Sequence, residues 1–134
     1  MLAPCDKLEI IALYAAYNRA IDGGDAAAWA RTFVENGVFE HPMRGYRGTT
    51  QLEGFVLERT EKLATHPVAH QRHWNDALRL DGDGGIATGT CDLIVAGVKR
   101  DTAAPLVLAS GSYRDELVKV GTEWRFSKRT LQLR

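Results

Sequence analysis

The sequence predicts an α+β chain with helices first and an antiparallel sheet after them, and three observations carry that expectation. Apolar residues recur at three- and four-residue spacing up to about residue 65. From Val68 onward the spacing falls to two, the period of a strand with one buried face. Short turns rich in glycine and aspartate then separate four long alternating stretches, so consecutive strands return antiparallel and need no crossover helix. The 134 residues amount to one domain, residues 1–134, able to bury about two-thirds of the surface its unfolded chain exposes.

The first helix is expected over residues 6 to 22. Asp6 suits its N-cap and Glu9 stands three residues on, as in a capping box. Leu8, Ile11, Ala15, Asn18 and Asp22 form one seam at helical spacing, and Ile10, Leu13, Tyr14, Tyr17 and Ile21 widen the apolar face. Gly23-Gly24 ends the helix, and Asp25 caps a short second one through Ala26 to Trp29. Val38-Phe39 reads as a brief strand and Gly45 to Gly48 as a turn. A third helix opens at Thr49 or Thr50 and runs to about Thr65, its stripe of Leu52, Phe55, Val56 and Leu63 interrupted by Arg59. Pro67 stops it. The strands are then expected over Val68–Leu80, Ile86–Val98, Pro105–Val120 and Glu123–Leu133, with turns at Asp81 to Gly85 and Val120 to Thr122 and a link from Arg100 to Ala104.

Composition narrows the functions. Seventeen basic residues balance seventeen acidic ones, so no net positive field favours a nucleic acid. No apolar run approaches the roughly 20 residues of a membrane span. The start, Met1 to Asp6, lacks the basic and apolar regions of a secretory signal, so a cytoplasmic location is expected. Cys5 and Cys91 make no disulfide framework, and no Cys/His cluster has zinc spacing, so neither a metal nor a cofactor is expected.

Three segments carry a resemblance to a known family. "YNRAIDGGDAAAWARTFVENGVF" (Tyr17 to Phe39), "LDGDG" (Leu80 to Gly84) and "GSYRDELVKVGTEWRFSKR" (Gly111 to Arg129) resemble the opening helix and strand, a hairpin and the last hairpin of SnoaL-like and scytalone-dehydratase-like proteins. These belong to the nuclear-transport-factor-2-like superfamily. The resemblance implies a cystatin-like α+β barrel, in which a curved antiparallel sheet packs on three N-terminal helices as a cone with an internal pocket. It specifies chemistry poorly, since similar proteins include dehydratases, isomerases, dehydrochlorinases, cyclases, hydrolases and members without activity.

Asp22 is the leading candidate. A carboxylate at the end of an apolar seam loses solvation, and its pKa rises toward the range of an acid or base. The plain alternative is an Asp-Gly turn residue pointing to water. The resemblance favours the first, because dehydratases and dehydrochlorinases of this kind carry an active-site Asp at the matching place. His73 and His70 compete for the base. Strand alternation puts His70 with Trp74, Leu78 and Leu80 on one face, and His73 with Gln71 and Asn75 on the other. Similar enzymes carry the His four residues before an Asn, where this chain has Gln71. Either a bulge or shifted register brings His73 or His70 inward, or the base is missing. His73 is preferred, since it shares a face with Asn75.

Tyr17, five residues before Asp22, matches a tyrosine that donates a hydrogen bond to a substrate oxygen in the bile-acid dehydratase. A core tyrosine is the plain reading there, and Tyr14 reads as core. By the same resemblance Cys91 replaces the second histidine of scytalone dehydratase. Ser110, Ser112 and Arg129 match pocket residues that contact substrate. Asp25 reads as a cap, His41 and His66 as rim residues beside prolines, and Arg44 and Arg47 as guides for an anionic substrate.

Two classes of function follow. One is a cofactor-independent lyase or isomerase, dehydratase-like, acting on a small hydrophobic cyclic molecule by Asp22/His73 acid–base chemistry. The other is a module that only binds such a ligand or pairs with another subunit, as the beta subunits of ring-hydroxylating dioxygenases do. A polyketide cyclase is a further alternative using the same cavity. A long sheet with one open face also implies a homo-oligomer, dimer or trimer.

Overall fold

The change of period at Pro67 marks the boundary between helices and meander in the computed structural model, which describes residues 1–134. Three helices, α1 (Pro4–Gly23), α2 (Ala26–Ala30) and α3 (Gly48–Ala64), lie around two strands, β1 (Phe33–His41) and β2 (Arg44–Arg47). The meander follows as β3 (Val68–Gly82), β4 (Ile86–Lys99), β5 (Pro105–Val120) and β6 (Glu123–Leu133). The six strands form one sheet in the order β2-β1-β6-β5-β4-β3. All neighbours are antiparallel except β1 and β6, which run parallel and make the sheet mixed. It does not close, and β2 and β3 are its edges.

The core lies between helices and sheet. Trp29, Phe33, Phe39 and Phe126 are buried there with Tyr17. Their rings meet edge-on or tilted at 5.1 Å for Trp29–Phe33 and 5.7 Å for Tyr17–Phe126, the arrangement aromatic quadrupoles favour. Gly24, at φ 69°, closes α1 by donating its backbone N–H to Ala20 and Ile21. Asp25 caps α2, its Oδ1 accepting from Ala28 N at 3.0 Å.

Several expectations need correction. Asp6 does not cap α1, which begins two residues earlier at Pro4. It is instead buried and accepts from Trp124 Nε1 and Lys119 Nζ, both at 3.0 Å, pinning the helix start to the last hairpin. The seam through Leu8, Ile11 and Ala15 is exposed, and the buried face is Ile10, Tyr14, Tyr17 and Ile21. The brief strand at Val38 extends over nine residues, and the turn expected at Gly45 is the strand β2, a hairpin with β1.

The largest correction concerns β3. Its pairing with β4 slips between Ala69 and Arg72 and again between Asp76 and Arg79. His70 and Ala77 each take a φ of 54° at those places, so each is a bulge that reverses the alternation. The first turns His70 outward while Gln71, His73 and Asn75 stay inward. The second returns Leu78 and Leu80 to the inner face, away from Trp74.

Gly89 of β4 shows how closely the interior is fitted. It stands opposite Asp115 in register, and a Cβ built there overlaps the Tyr14 hydroxyl. Gly89→Ala is therefore expected to destabilise the fold by about 1–3 kcal/mol, the usual cost of overpacking. Urea denaturation measures it, and an unchanged midpoint refutes it.

Candidate active site

Asp22 ends α1 at the point where the helix passes over β3, and the bulge at His70 aims His73 back toward it. Asp22 Oδ1 lies 2.7 Å from His73 Nδ1. The same carboxylate accepts the His73 backbone N–H, at 3.1 and 3.2 Å to its two oxygens. The two side chains are 13% and 10% exposed. One turn earlier, Asn18 Nδ2 donates to Asn75 Oδ1 at 2.7 Å. Asn18 and Asp22, the polar end of the predicted seam, thus fasten α1 along the inner row of β3.

A carboxylate accepts only, so the proton in the Asp22–His73 contact sits on Nδ1 and Nε2 keeps its lone pair. Burial lowers the His73 pKa below the ordinary 6.5, with Arg59 acting in the same direction and Asp22 opposing it. A neutral, oriented imidazole follows, with its basic nitrogen free of protein partners.

His73 lines a cavity of about 180 Å³. Its walls are mainly apolar: Ile21, Phe39, Phe55, Leu93, Val95, Leu108 and Leu131. The polar groups among them come from Tyr17, His41, Arg59, Gln71, His73 and Tyr113. Tyr17 is buried, and burial raises its pKa. Its ring meets that of Tyr113 edge-on, with centroids 6.0 Å apart, and with its proton retained the phenol stands at the cavity as a donor. Arg59 of α3 donates to Ile21 O at 3.3 Å. Burial lowers its pKa while Asp22 draws it back up.

The other expected site residues fall elsewhere. His70 is exposed and shares a separate depression with Asp22, Arg72 and Arg100. Ser110 and Ser112 belong to the outer row of β5, where Ser112 accepts from Arg134 Nη2 at 3.2 Å. The inner row of that strand is Gly111, Tyr113, Asp115 and Leu117, so period two excludes both serines from the cavity. Cys91 is buried but faces Arg129 Nη2 at 3.7 Å rather than the cavity, and burial pushes its thiol up to about 11.

Arg129 is wholly buried beneath the cavity floor. Its Nε lies 3.0 Å from Asp115 Oδ1, and Tyr14 donates to the other oxygen of that carboxylate. Its guanidinium carbon stands 3.4 Å from the ring centre of Tyr113 and 4.3 Å from that of Tyr17. Burial works against its charge, but Asp115 and the three phenols outweigh it and hold the pKa above that of a free arginine. Arg129 therefore supports the tyrosines from behind.

No three His, Cys, Asp or Glu side chains are grouped to hold a metal ion, and no helix is long and apolar enough to cross a membrane. The model of the SnoaL-like domain matches residues 4–130. The chain belongs to the SnoaL-like family. Among solved structures, this SnoaL-like chain is 31% identical to Rv3472, a protein of unknown function from Mycobacterium tuberculosis, in a single-substitution variant. That match has a TM-score of 0.86 and covers 97% of this chain and 77% of the other. A protein of unknown function with a cystatin-like fold from Nostoc punctiforme matches at 22% identity and TM-score 0.85, covering 99% and 94%, and agrees in fold. A structure from Catenulispora acidiphila in complex with S-DNPA matches at 25% identity and TM-score 0.81, covering 98% and 95%. No curated protein matches the SnoaL-like sequence.

Proposed function

We propose that the chain is a cofactor-independent lyase or isomerase for a small, mainly apolar cyclic molecule, with His73 as general base and Asp22 as the group that orients and charges it. The contact that carries this reading is Asp22 Oδ1 to His73 Nδ1 at 2.7 Å beside an apolar cavity. His73 Nε2 takes a proton from a carbon made acidic by a neighbouring carbonyl. The imidazolium is stabilised by Asp22. In a dehydratase the electron pair expels a hydroxyl on the next carbon; in an isomerase the proton returns to another carbon. Tyr17 stands ready to donate to an oxygen that gains charge. The S-DNPA complex of the Catenulispora protein supports a small-molecule cavity in this fold, and a cyclase would use the same proton abstraction.

Deuterium exchange into a panel of cyclic ketones and β-hydroxy ketones tests the base. Exchange by the wild type and not by Asp22→Asn supports it. Exchange equal in both removes it, and ligand binding without exchange favours the binding module.

The pH dependence follows from His73. Its folded pKa is below 6.5 because burial disfavours the imidazolium, so the acid limb of kcat/KM falls below that value and activity is level at neutral pH. Between those two pKa values the unfolded chain binds the proton and the folded chain does not. Stability therefore declines as pH falls through that window and levels beneath it. An acid limb at or above 6.5 contradicts the assignment.

We also propose that the outer sheet face pairs with a second copy. Trp74 and Ile94 are neighbours in register there and 64% and 44% exposed, and exposed Val107 lies further along, opposite Ala96. Asp76 opposes Asp92 on the next row, with Arg79 and Arg114 on the row after. A two-fold axis between these two rows would set the acidic row of each copy against the basic row of the other. Trp74→Glu is expected to give a monomer in sedimentation velocity; an unchanged mass refutes this face.

A further inference from the structure

The hairpin between β1 and β2 fixes the protonation of a second imidazole in the same cavity. His41 is the last residue of β1 and pairs with Arg44 across a two-residue turn, Pro42-Met43. The Met43 backbone N–H donates to His41 Nδ1 at 3.2 Å. That nitrogen must carry a lone pair, so in the neutral ring the proton is on Nε2. The ring is held by Phe39 and Phe55, with centroids 6.2 and 6.0 Å away. Burial lowers its pKa, which keeps it neutral at neutral pH.

His41 and His73 are therefore opposite tautomers facing one cavity. In His73 the acceptor Asp22 leaves a basic Nε2; in His41 the donor Met43 leaves an Nε2–H with no protein partner. Two of the other polar groups there have engagements of their own: Gln71 Nε2 donates to Val68 O at 3.2 Å, and Arg59 is turned to Ile21 O. Tyr17 stays available as a second donor to the same substrate oxygen.

We propose that His41 is the electrophilic partner of His73, donating Nε2–H to the carbonyl oxygen of an enolisable ketone. This rests on His73 being the base. The step balances without another reactant. His73 Nε2 takes the proton from the carbon beside the carbonyl, and the C–H electron pair forms the carbon–carbon double bond. The carbonyl pair moves onto oxygen, where the His41 N–H holds it as an enolate. His41 keeps its proton throughout. A neutral imidazole suits this task better than an imidazolium, which would lose its Met43 contact and surrender the proton to the enolate. The substrate class narrows accordingly to ketones whose acidic C–H and oxygen reach both imidazoles at once. An ether, or an alcohol with no carbonyl, offers nothing for His41 to hold.

Long-range proton–nitrogen correlation spectra of the labelled protein at neutral pH report both tautomers directly. His41 is expected as Nε2–H and His73 as Nδ1–H. Para-nitrophenolate then serves as a stable enolate mimic. His41→Phe, which preserves the packing on Phe39 and Phe55, is expected to bind it about tenfold more weakly or worse, the scale of one lost hydrogen bond to a charged oxygen. His41→Gln, still a donor, is expected to recover part of that loss. An Nδ1–H tautomer at His41, or equal phenolate affinity in wild type and His41→Phe, overturns the proposal. Failure of the base itself is seen separately, as deuterium exchange that survives in His73→Gln while phenolate binding still depends on His41.

Discussion

His73→Gln is expected to lower kcat/KM, or the rate of deuterium exchange, by about 10²–10⁴-fold, the range general-base catalysis supplies. Glutamine fills the place of the ring and keeps a donor toward Asp22, so folding should be undisturbed. What it lacks is a nitrogen that accepts a proton. Asp22→Asn should follow with a loss of about tenfold or more, for a different reason. The carboxylate receives two N–H groups from His73, side chain and backbone, and its negative charge stabilises the imidazolium. An amide retains shape but forfeits the charge and presents an N–H where only acceptors are wanted. The two losses should not add, since both act through one proton transfer. A His73→Gln protein retaining more than about a third of wild-type activity, well outside the expected range, would sink the mechanism.

The second large effect concerns stability. Arg129→Met is expected to cost about 3–5 kcal/mol, because it leaves the Asp115 carboxylate buried without its cation. Burial already raises the Asp115 pKa against the pull of Arg129 and the Tyr14 hydroxyl. Asp115→Leu should cost a similar amount by stranding a guanidinium that has no exposure at all. The double variant, Asp115→Leu with Arg129→Met, should regain most of the loss, since a buried ion pair is worth little more than apolar residues of similar volume. Urea midpoints of the three proteins decide it. Single variants within about 1 kcal/mol of wild type would mean that water reaches the pair. Arg129 also backs the rings of Tyr17 and Tyr113, so the single variant should loosen the cavity floor as well as the fold.

The elements are largely legible in the sequence because they rest on periodicity, and their ends on glycine, proline and aspartate. The meander strands lie within two residues of their expected bounds. What alternation does not reveal are the bulges of β3. They occur at His70 and Ala77, ordinary residues that signal nothing about a positive φ, yet they decide which histidine faces the helix. β2 escapes a sequence reading because Arg44–Arg47 holds too few apolar residues to show a period. Asp22 emerges from a seam whose first three members are exposed in the fold. Helical spacing all the same carries the polar end of that seam onto β3, where Asp22 meets His73. Arg59 reads as an interruption in a stripe and His41 as a rim residue beside a proline. Both do reach the cavity, but only the pairing of β1 with β2 and the placement of α3 reveal it. Ser110 and Ser112 rest on resemblance alone, and strand parity puts them outside.

The position of His73 on an edge strand has one more consequence. Its amide hydrogen has no neighbouring strand to hold it and is secured by the Asp22 side chain instead. The rate at which that single amide trades for deuterium in solvent therefore times how often the helix lifts from the margin of the sheet. A resident ligand that keeps the helix seated would slow this clock, and the edge would report occupancy without any turnover.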